Sequence, residues 1–200
     1  MSNVSEALNS LLTTLVSEKE HVVNNNGKRP LIVAIDGNCG SGKTFYSSKL
    51  ASRFNAEVIH CDDFFLPKNM RTVERLSEVG GNVHYERLRA LLAQIHEGNL
   101  PITYLAYNCT CNNYEQKTLS KTNVVIVEGS YSLHPTLREF YDLKILFTID
   151  EQTQQQRLIK REGAERLSDF VNKWIPLENR YFDALSTTDC VVIDTGYETD

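Results

Sequence analysis

Eight consecutive residues, Gly37-Asn38-Cys39-Gly40-Ser41-Gly42-Lys43-Thr44, fit the spacing G-x-x-x-x-G-K-[ST] without a mismatch. These are the residue types that a polyphosphate requires. Glycines let the backbone curl until successive N–H groups face one anion-sized hollow. A helix opening directly after the loop turns its positive end toward the same point. Lys43 then reaches the outer phosphates, and the Thr44 hydroxyl suits Mg²⁺.

Acids and bases at other positions extend that chemistry. Glu128 ends the apolar run Val124-Val125-Ile126-Val127, where a carboxylate would meet a phosphate-bound metal, and Gly129 lets the chain turn away. Glu57-Val58-Ile59-His60-Cys61 leads into Asp62-Asp63-Phe64-Phe65. Acids at the end of a parallel strand face the ligand crevice. There a carboxylate can take the proton of an attacking hydroxyl. Arg157 and Arg161 stand one helical turn apart, so both guanidinium groups share a face and suit a phosphate clamp. The plainer readings are a solvated turn at Asp62-Asp63 and an ordinary charged face around Lys160, Glu162 and Glu165.

The elements that must position these groups are legible. Leu31-Ile32-Val33-Ala34-Ile35 runs apolar without alternation, as a strand buried on both faces does. The glycine-rich turn follows, then a helix from Lys43 to Phe54. Further apolar runs at 57–61, 124–127, 143–149 and 190–193 alternate with helical patterns at Tyr85–His96, 151–161 and 169–185. That alternation predicts an α/β fold, a parallel central sheet with helices on both faces. Val4, Leu8, Leu11, Leu12 and Leu15 recur at helical spacing, predicting an amphipathic helix within residues 1–27 that Asn24-Asn25-Asn26-Gly27 ends. Residues 28–200 read as a single domain. Segment 101–122, polar and aromatic, reads as a hairpin or long loop over the sheet.

Composition narrows the classes. With 21 Lys and Arg against 26 Asp and Glu, the formal charge is −5, which argues against nucleic acid or an anionic membrane as partner. No apolar run approaches the roughly 18 residues of a bilayer span, and residues 1–20 lack a signal-peptide pattern, so a cytoplasmic location is expected. Five cysteines, an odd number, suit a reducing compartment. Cys109 and Cys111 have no partner pair at zinc spacing and read as free thiols. Cys39, Cys61 and Cys190 read as small buried residues.

The chain resembles the uridine kinase-like branch of the P-loop kinases. The matching pieces are Gly37 to Thr44, Cys61-Asp62-Asp63-Phe64-Phe65-Leu66-Pro67, Gly80-Gly81-Asn82-Val83-His84-Tyr85-Glu86-Arg87, Val127-Glu128-Gly129-Ser130-Tyr131 and Arg157-Leu158-Ile159-Lys160-Arg161. The resemblance implies a P-loop NTPase three-layer sandwich with a small lid and an acceptor-site insertion. It implies ATP and Mg²⁺, with the hydroxyl of a small molecule as acceptor, a nucleoside first. Carried over by position, Gly37, Asn38, Cys39, Gly40, Ser41, Gly42, Lys43 and Thr44 hold the nucleotide. Asp62 is the general base, with Lys43 and the lid residues Arg157 and Arg161 also catalytic. Thr44 and Glu128, with Asp62, hold the metal. Asp63, Phe65, His84, Tyr104, Tyr107 and Asn108 face the acceptor. Three positions depart from the pattern: His84 stands where relatives carry Asp, and Leu105 and Asn108 replace Arg and Asp. A neutral imidazole offers one acceptor and one donor where a carboxylate accepts two hydroxyls. The nucleotide half therefore keeps its pattern and the acceptor half does not. Other readings are a kinase for a pantothenate-like or sugar acceptor, a nucleotide-dependent switch or hydrolase, or a degenerate nucleotide-binding regulator. Oligomeric state is not legible.

Overall fold

A computed structural model describes residues 4–26 and 29–196. The first half runs α1 (Val4–Asn26), β1 (Leu31–Gly37), α2 (Lys43–Phe54), β2 (Glu57–His60), 3₁₀ turns at Cys61–Phe64 and Lys68–Met70, α3 (Val73–Ser77) and α4 (Tyr85–His96). Then come β3 (Ile102–Asn108), β4 (Asn113–Leu119), β5 (Val124–Glu128), a 3₁₀ turn at Arg138–Phe140 and β6 (Leu143–Thr148). The chain closes with α5 (Glu151–Glu162), α6 (Ala164–Asp169), a π-helical turn (Phe170–Trp174), α7 (Ile175–Ala184) and β7 (Val191–Asp194).

Five strands form one parallel sheet in the order β2-β5-β1-β6-β7. All seven residues of β1 are buried, which is why the sequence shows no alternation there: both faces are covered. Leu31, Val33 and Ile35 pack with Val4, Leu8 and Leu12 of α1 and with Tyr46 and Leu50 of α2. Ile32 and Ala34 point the other way, toward Leu88, Leu91, Leu92 and Ile95 of α4 and Tyr181 of α7. The result is the helix–sheet–helix sandwich of the P-loop NTPases.

Three local expectations are refined. The strand expected at 57–61 stops at His60, because its ladder partner β5 ends with the pair His60↔Glu128 and Cys61 starts a 3₁₀ turn. Segment 101–122 is a hairpin, paired from Ile102↔Leu119 to Asn108↔Asn113. The single helix expected at 169–185 is three pieces, since a π-helical turn at Phe170–Trp174 interrupts it. The N-terminal helix runs through Asn26, and Gly27 lies outside the described residues. All five cysteines are free: Cys39 and Cys61 are buried, Cys190 only half-buried, and Cys109 and Cys111 exposed. Among the described residues no helix is long and apolar enough to cross a membrane.

Candidate active site

Strand register gathers the chemistry. Glu128 pairs with Ile35 of β1 on one side and with His60 of β2 on the other. Three chain exits therefore lie together at the C-terminal edge of the sheet: Asp36-Gly37, Cys61-Asp62 and Glu128-Gly129. They open into a cavity of about 1980 Å³. A pocket for one small ligand holds roughly 300–1,000 Å³, so this one has room for two.

The glycine-rich loop leads from β1 to α2. Gly42 caps the helix with φ +89, a left-handed conformation that side chains disfavour, and no side chain caps α2. The N–H groups of Gly40, Gly42, Lys43 and Thr44 have no hydrogen-bond partner among the described residues. Four unsatisfied donors at a helix N-terminus fit a phosphate group. Lys43, buried, folds along the loop, its Nζ donating to the Gly37 and Asn38 carbonyls at 2.7 and 2.9 Å.

Thr44 and Glu128 meet beside it. The Thr44 hydroxyl lies 3.3 and 3.2 Å from the two Glu128 carboxylate oxygens. His60 Nδ1 lies 2.5 Å from Glu128 Oε1, and this bond raises the His60 pKa above its usual value. A hydroxyl and a carboxylate are hard oxygen ligands suited to Mg²⁺, which takes one or two protein carboxylates and completes its shell with phosphates and water. No group of three or more His, Cys, Asp or Glu gathers to hold a metal among the described residues. The oxygen pair fits a metal that arrives with phosphates.

The Asp62 side chain lines the same cavity, and its carboxylate makes no hydrogen bond to another described residue, although its carbonyl accepts the Phe65 N–H at 3.4 Å. Desolvation against the cavity wall, then the nearby Glu128 charge, raise its pKa. A carboxylate with open lone pairs and raised basicity has the properties a proton acceptor needs. Arg157 and Arg161 of α5 also line the cavity. Arg157 donates to the Gly40 carbonyl at 3.3 Å and to the Thr195 carbonyl at 2.8 Å, tying α5 to the loop. Arg161 pairs with Glu162 at 2.9 Å.

Two buried carboxylates that sequence reading missed organise this edge. Asp36 accepts the N–H groups of Gly37, Tyr131 and Leu133 at 2.7, 3.2 and 2.8 Å and the Tyr181 hydroxyl at 2.7 Å. Burial nevertheless pushes its pKa up to about 6. Tyr131 is held there with φ +74, a strained value for a tyrosine, and faces the cavity. Glu178 of α7 accepts the Cys39 N–H at 2.8 Å and the Ser130 hydroxyl at 2.7 Å, bridging the glycine-rich loop to the turn after β5. Glu178 sits in a segment that reads simply as helix, and only its partners, far away in sequence, mark it out.

The acceptor-side candidates separate. Phe65 lines the cavity, whereas Asp63, His84, Tyr104, Tyr107 and Asn108 do not. Asp63 is held by Lys117 Nζ at 2.7 Å and the Tyr104 hydroxyl at 2.8 Å. His84 pairs with Glu86 at 3.0 Å, the Tyr107 hydroxyl donates to Asn112 at 2.6 Å, and Asn108 contacts Glu115 at 3.0 Å. The hairpin thus spends these polar groups on protein partners rather than on the cavity, which among hairpin residues only Cys109 lines. The wall is built from Phe65, Arg71, Gly80, Gly81, Asn82 and Tyr131.

No family model matches the chain. A uridine kinase of Streptococcus pneumoniae (strain Hungary19A-6) is 26% identical over 189 residues, covering 84% of this chain and 87% of that protein. In fold, the chain is similar to a candidate fructose transport system kinase from Silicibacter sp. TM1040, with TM-score 0.69 and 18% identity over 90% of this chain and 98% of that one. A candidate uridine kinase from Bacillus stearothermophilus gives TM-score 0.55 and 18% identity over 84% and 96%. The fold is thus that of the P-loop NTPases, and in sequence the chain is similar to the uridine kinase-like branch of the small-molecule kinases.

Proposed function

We propose that the chain transfers the γ-phosphoryl group of ATP to a hydroxyl of a small molecule, with Mg²⁺ as cofactor. The observation that carries this reading is the convergence of Lys43, Thr44, Glu128 and Asp62 on one cavity large enough for donor and acceptor. The open N–H groups of the loop and the Lys43 ammonium would hold the donor phosphates. Thr44 and Glu128 would hold the metal, which supplies charge neutralisation on the phosphates when bound. Asp62 would orient the acceptor hydroxyl and take its proton, and its raised pKa favours that task. Arg157 and Arg161 would face the charge that develops on the transferred group. The resemblance names a nucleoside as acceptor, and uridine is the first compound to try.

The test is coupled ADP detection with and without an acceptor. Asp62→Asn should lower kcat at least about 10²-fold and leave the KM for ATP nearly unchanged. A near-normal rate would remove Asp62 from the mechanism. ATP hydrolysis that no acceptor accelerates would favour a switch or a regulator over a kinase.

A further inference from the structure

The cavity wall on the acceptor side carries a cation that the phosphate machinery does not use. Arg71 follows the 3₁₀ turn Lys68–Met70 and lines the cavity that Arg157 and Arg161 also line. Its Nε donates to the Leu66 carbonyl at 2.7 Å, and Nη2 lies 3.6 Å from Cys109 Sγ at the hairpin tip. The Leu66 N–H in turn donates to the Asn82 carbonyl at 3.0 Å. Leu66 is itself buried, so one buried residue ties both the Arg71 side chain and the Asn82 backbone, and both residues line the cavity. Nη1 of Arg71 has no hydrogen-bond partner among the described residues.

The other polar groups of this region are already satisfied internally. Asp63 is neutralised by Lys117, and Glu78, the acid on the same wall, is bound by Arg75 at 3.2 Å and by the Tyr85 hydroxyl at 2.8 Å. His84 is engaged with Glu86. Groups that would bind a neutral polyol are therefore spoken for, while a guanidinium fork and an amide remain. A fork of fixed orientation matches a carboxylate or a phosphate, which bind it through paired charge-assisted hydrogen bonds. The cavity lining as a whole carries nine Lys and Arg against six Asp and Glu, opposite in sign to the chain's net charge of −5.

We propose that the acceptor is an anionic hydroxyl compound, a hydroxy acid or a phosphorylated alcohol, whose anion binds Arg71 beside Asn82 while its hydroxyl meets Asp62. This deepens the kinase reading and rests on it. It makes Arg71 a specificity-determining residue and sets the chain apart from kinases whose acceptors are neutral.

Matched pairs test it by varying charge alone: pantothenate against pantothenyl alcohol, gluconate against glucose, and glycerol 3-phosphate against glycerol, with uridine alongside. ADP release should be faster with the anionic member of at least one pair, by about 10- to 100-fold in kcat/KM, the selectivity expected of a charge-assisted pair. Carboxylate and phosphate members separate the two anion types. Arg71→Met should abolish the preference and act mainly on the acceptor KM. Arg71→Lys, which keeps the charge and loses the fork, should retain part of it, and serves if the Met variant does not fold. Turnover of uridine or of neutral members with no anion preference would overturn the proposal and leave the kinase reading standing. So would a preference that survives Arg71→Met. If no compound is turned over, the kinase reading is what fails, and thermal shifts with a non-hydrolysable ATP analogue read the anion site without chemistry. A shift with an anion that Arg71→Met lacks upholds the site, and no shift with any anion overturns it.

Discussion

Removing the Glu178 carboxylate should loosen the phosphate loop from a distance, and the size of the effect follows from its two bonds. Its side chain is almost fully buried, accepting from the Cys39 N–H at 2.8 Å and the Ser130 hydroxyl at 2.7 Å. A hydrogen bond to a charged group contributes about 1.5–3 kcal/mol. In Glu178→Ala the Ser130 hydroxyl can fall back on the Gly37 carbonyl, already 3.3 Å away, but the Cys39 N–H is left buried and unpaired. The expected loss is about 3 kcal/mol, or about 6–12 °C in Tm for a chain of this size. Glu178→Gln behaves differently. Its amide oxygen can take the Cys39 N–H and its NH₂ can donate to Ser130 Oγ, so both contacts survive as neutral bonds about half as strong. That variant should lose no more than about 1–2 kcal/mol. It also removes a negative charge beside the phosphate loop, so its affinity for ATP should equal or exceed that of the wild type, whereas Glu178→Ala should bind ATP more weakly. Melting curves and titration of a fluorescent ATP analogue check both. Equal losses of stability in the Ala and Gln variants would refute the bridging role.

Other outcomes follow from single contacts. At Gly81 an added Cβ would lie 1.8 Å from the Arg75 carbonyl oxygen, a backbone atom that cannot yield cheaply. Arg75 also donates to the Gly81 and Val83 carbonyls at 3.2 and 3.0 Å, so Gly81→Ala should displace this part of the cavity wall and lower Tm, the cost of overpacking being about 1–3 kcal/mol, and under the proposed function it should raise the acceptor KM more than the ATP KM. Burial lowers the pKa of His134, which stacks on Tyr85 at 4.1 Å. Below about pH 6.5 the unfolded chain takes a proton that the folded one refuses, so stability should fall as pH drops through that value toward the lower folded pKa. Melting between pH 7.5 and 5 should show a steeper fall for wild type than for His134→Gln, and parallel curves would exclude His134 as the cause. Leu8 of α1 is fully buried against the sheet, so Leu8→Ala should cost about 2–5 kcal/mol, and an unchanged Tm would mean that α1 is not docked.

The nucleotide half of the site was legible because its chemistry is local. Loop, lysine, threonine and helix start are contiguous from Gly37 to Thr44, and each residue type answers a demand of the phosphate group. Glu128 and Asp62 were legible for a related reason: in a parallel sheet every strand ends at the same edge, so an acid after a buried run must arrive there. The fold class followed from the same unbroken apolar runs, which only a sheet covered on both faces would bury.

The acceptor half depended on where side chains turn, and that is a tertiary matter. Asp63 adjoins Asp62 in sequence, yet the 3₁₀ turn at Cys61–Phe64 sends it under the hairpin to Lys117, 54 residues away. Tyr104 and Tyr107 sit at the expected positions, but in the hairpin both are buried with their hydroxyls bonded to protein partners rather than lining the cavity. Glu178 and Asp36 gained their roles from donors up to 145 residues distant, which no local pattern encodes. Sequence by itself determined the strand ends and the phosphate loop, where local backbone chemistry is enough. Only the packed structure decided which polar groups stayed available for an acceptor, because a buried polar group takes whichever partner the fold brings within reach.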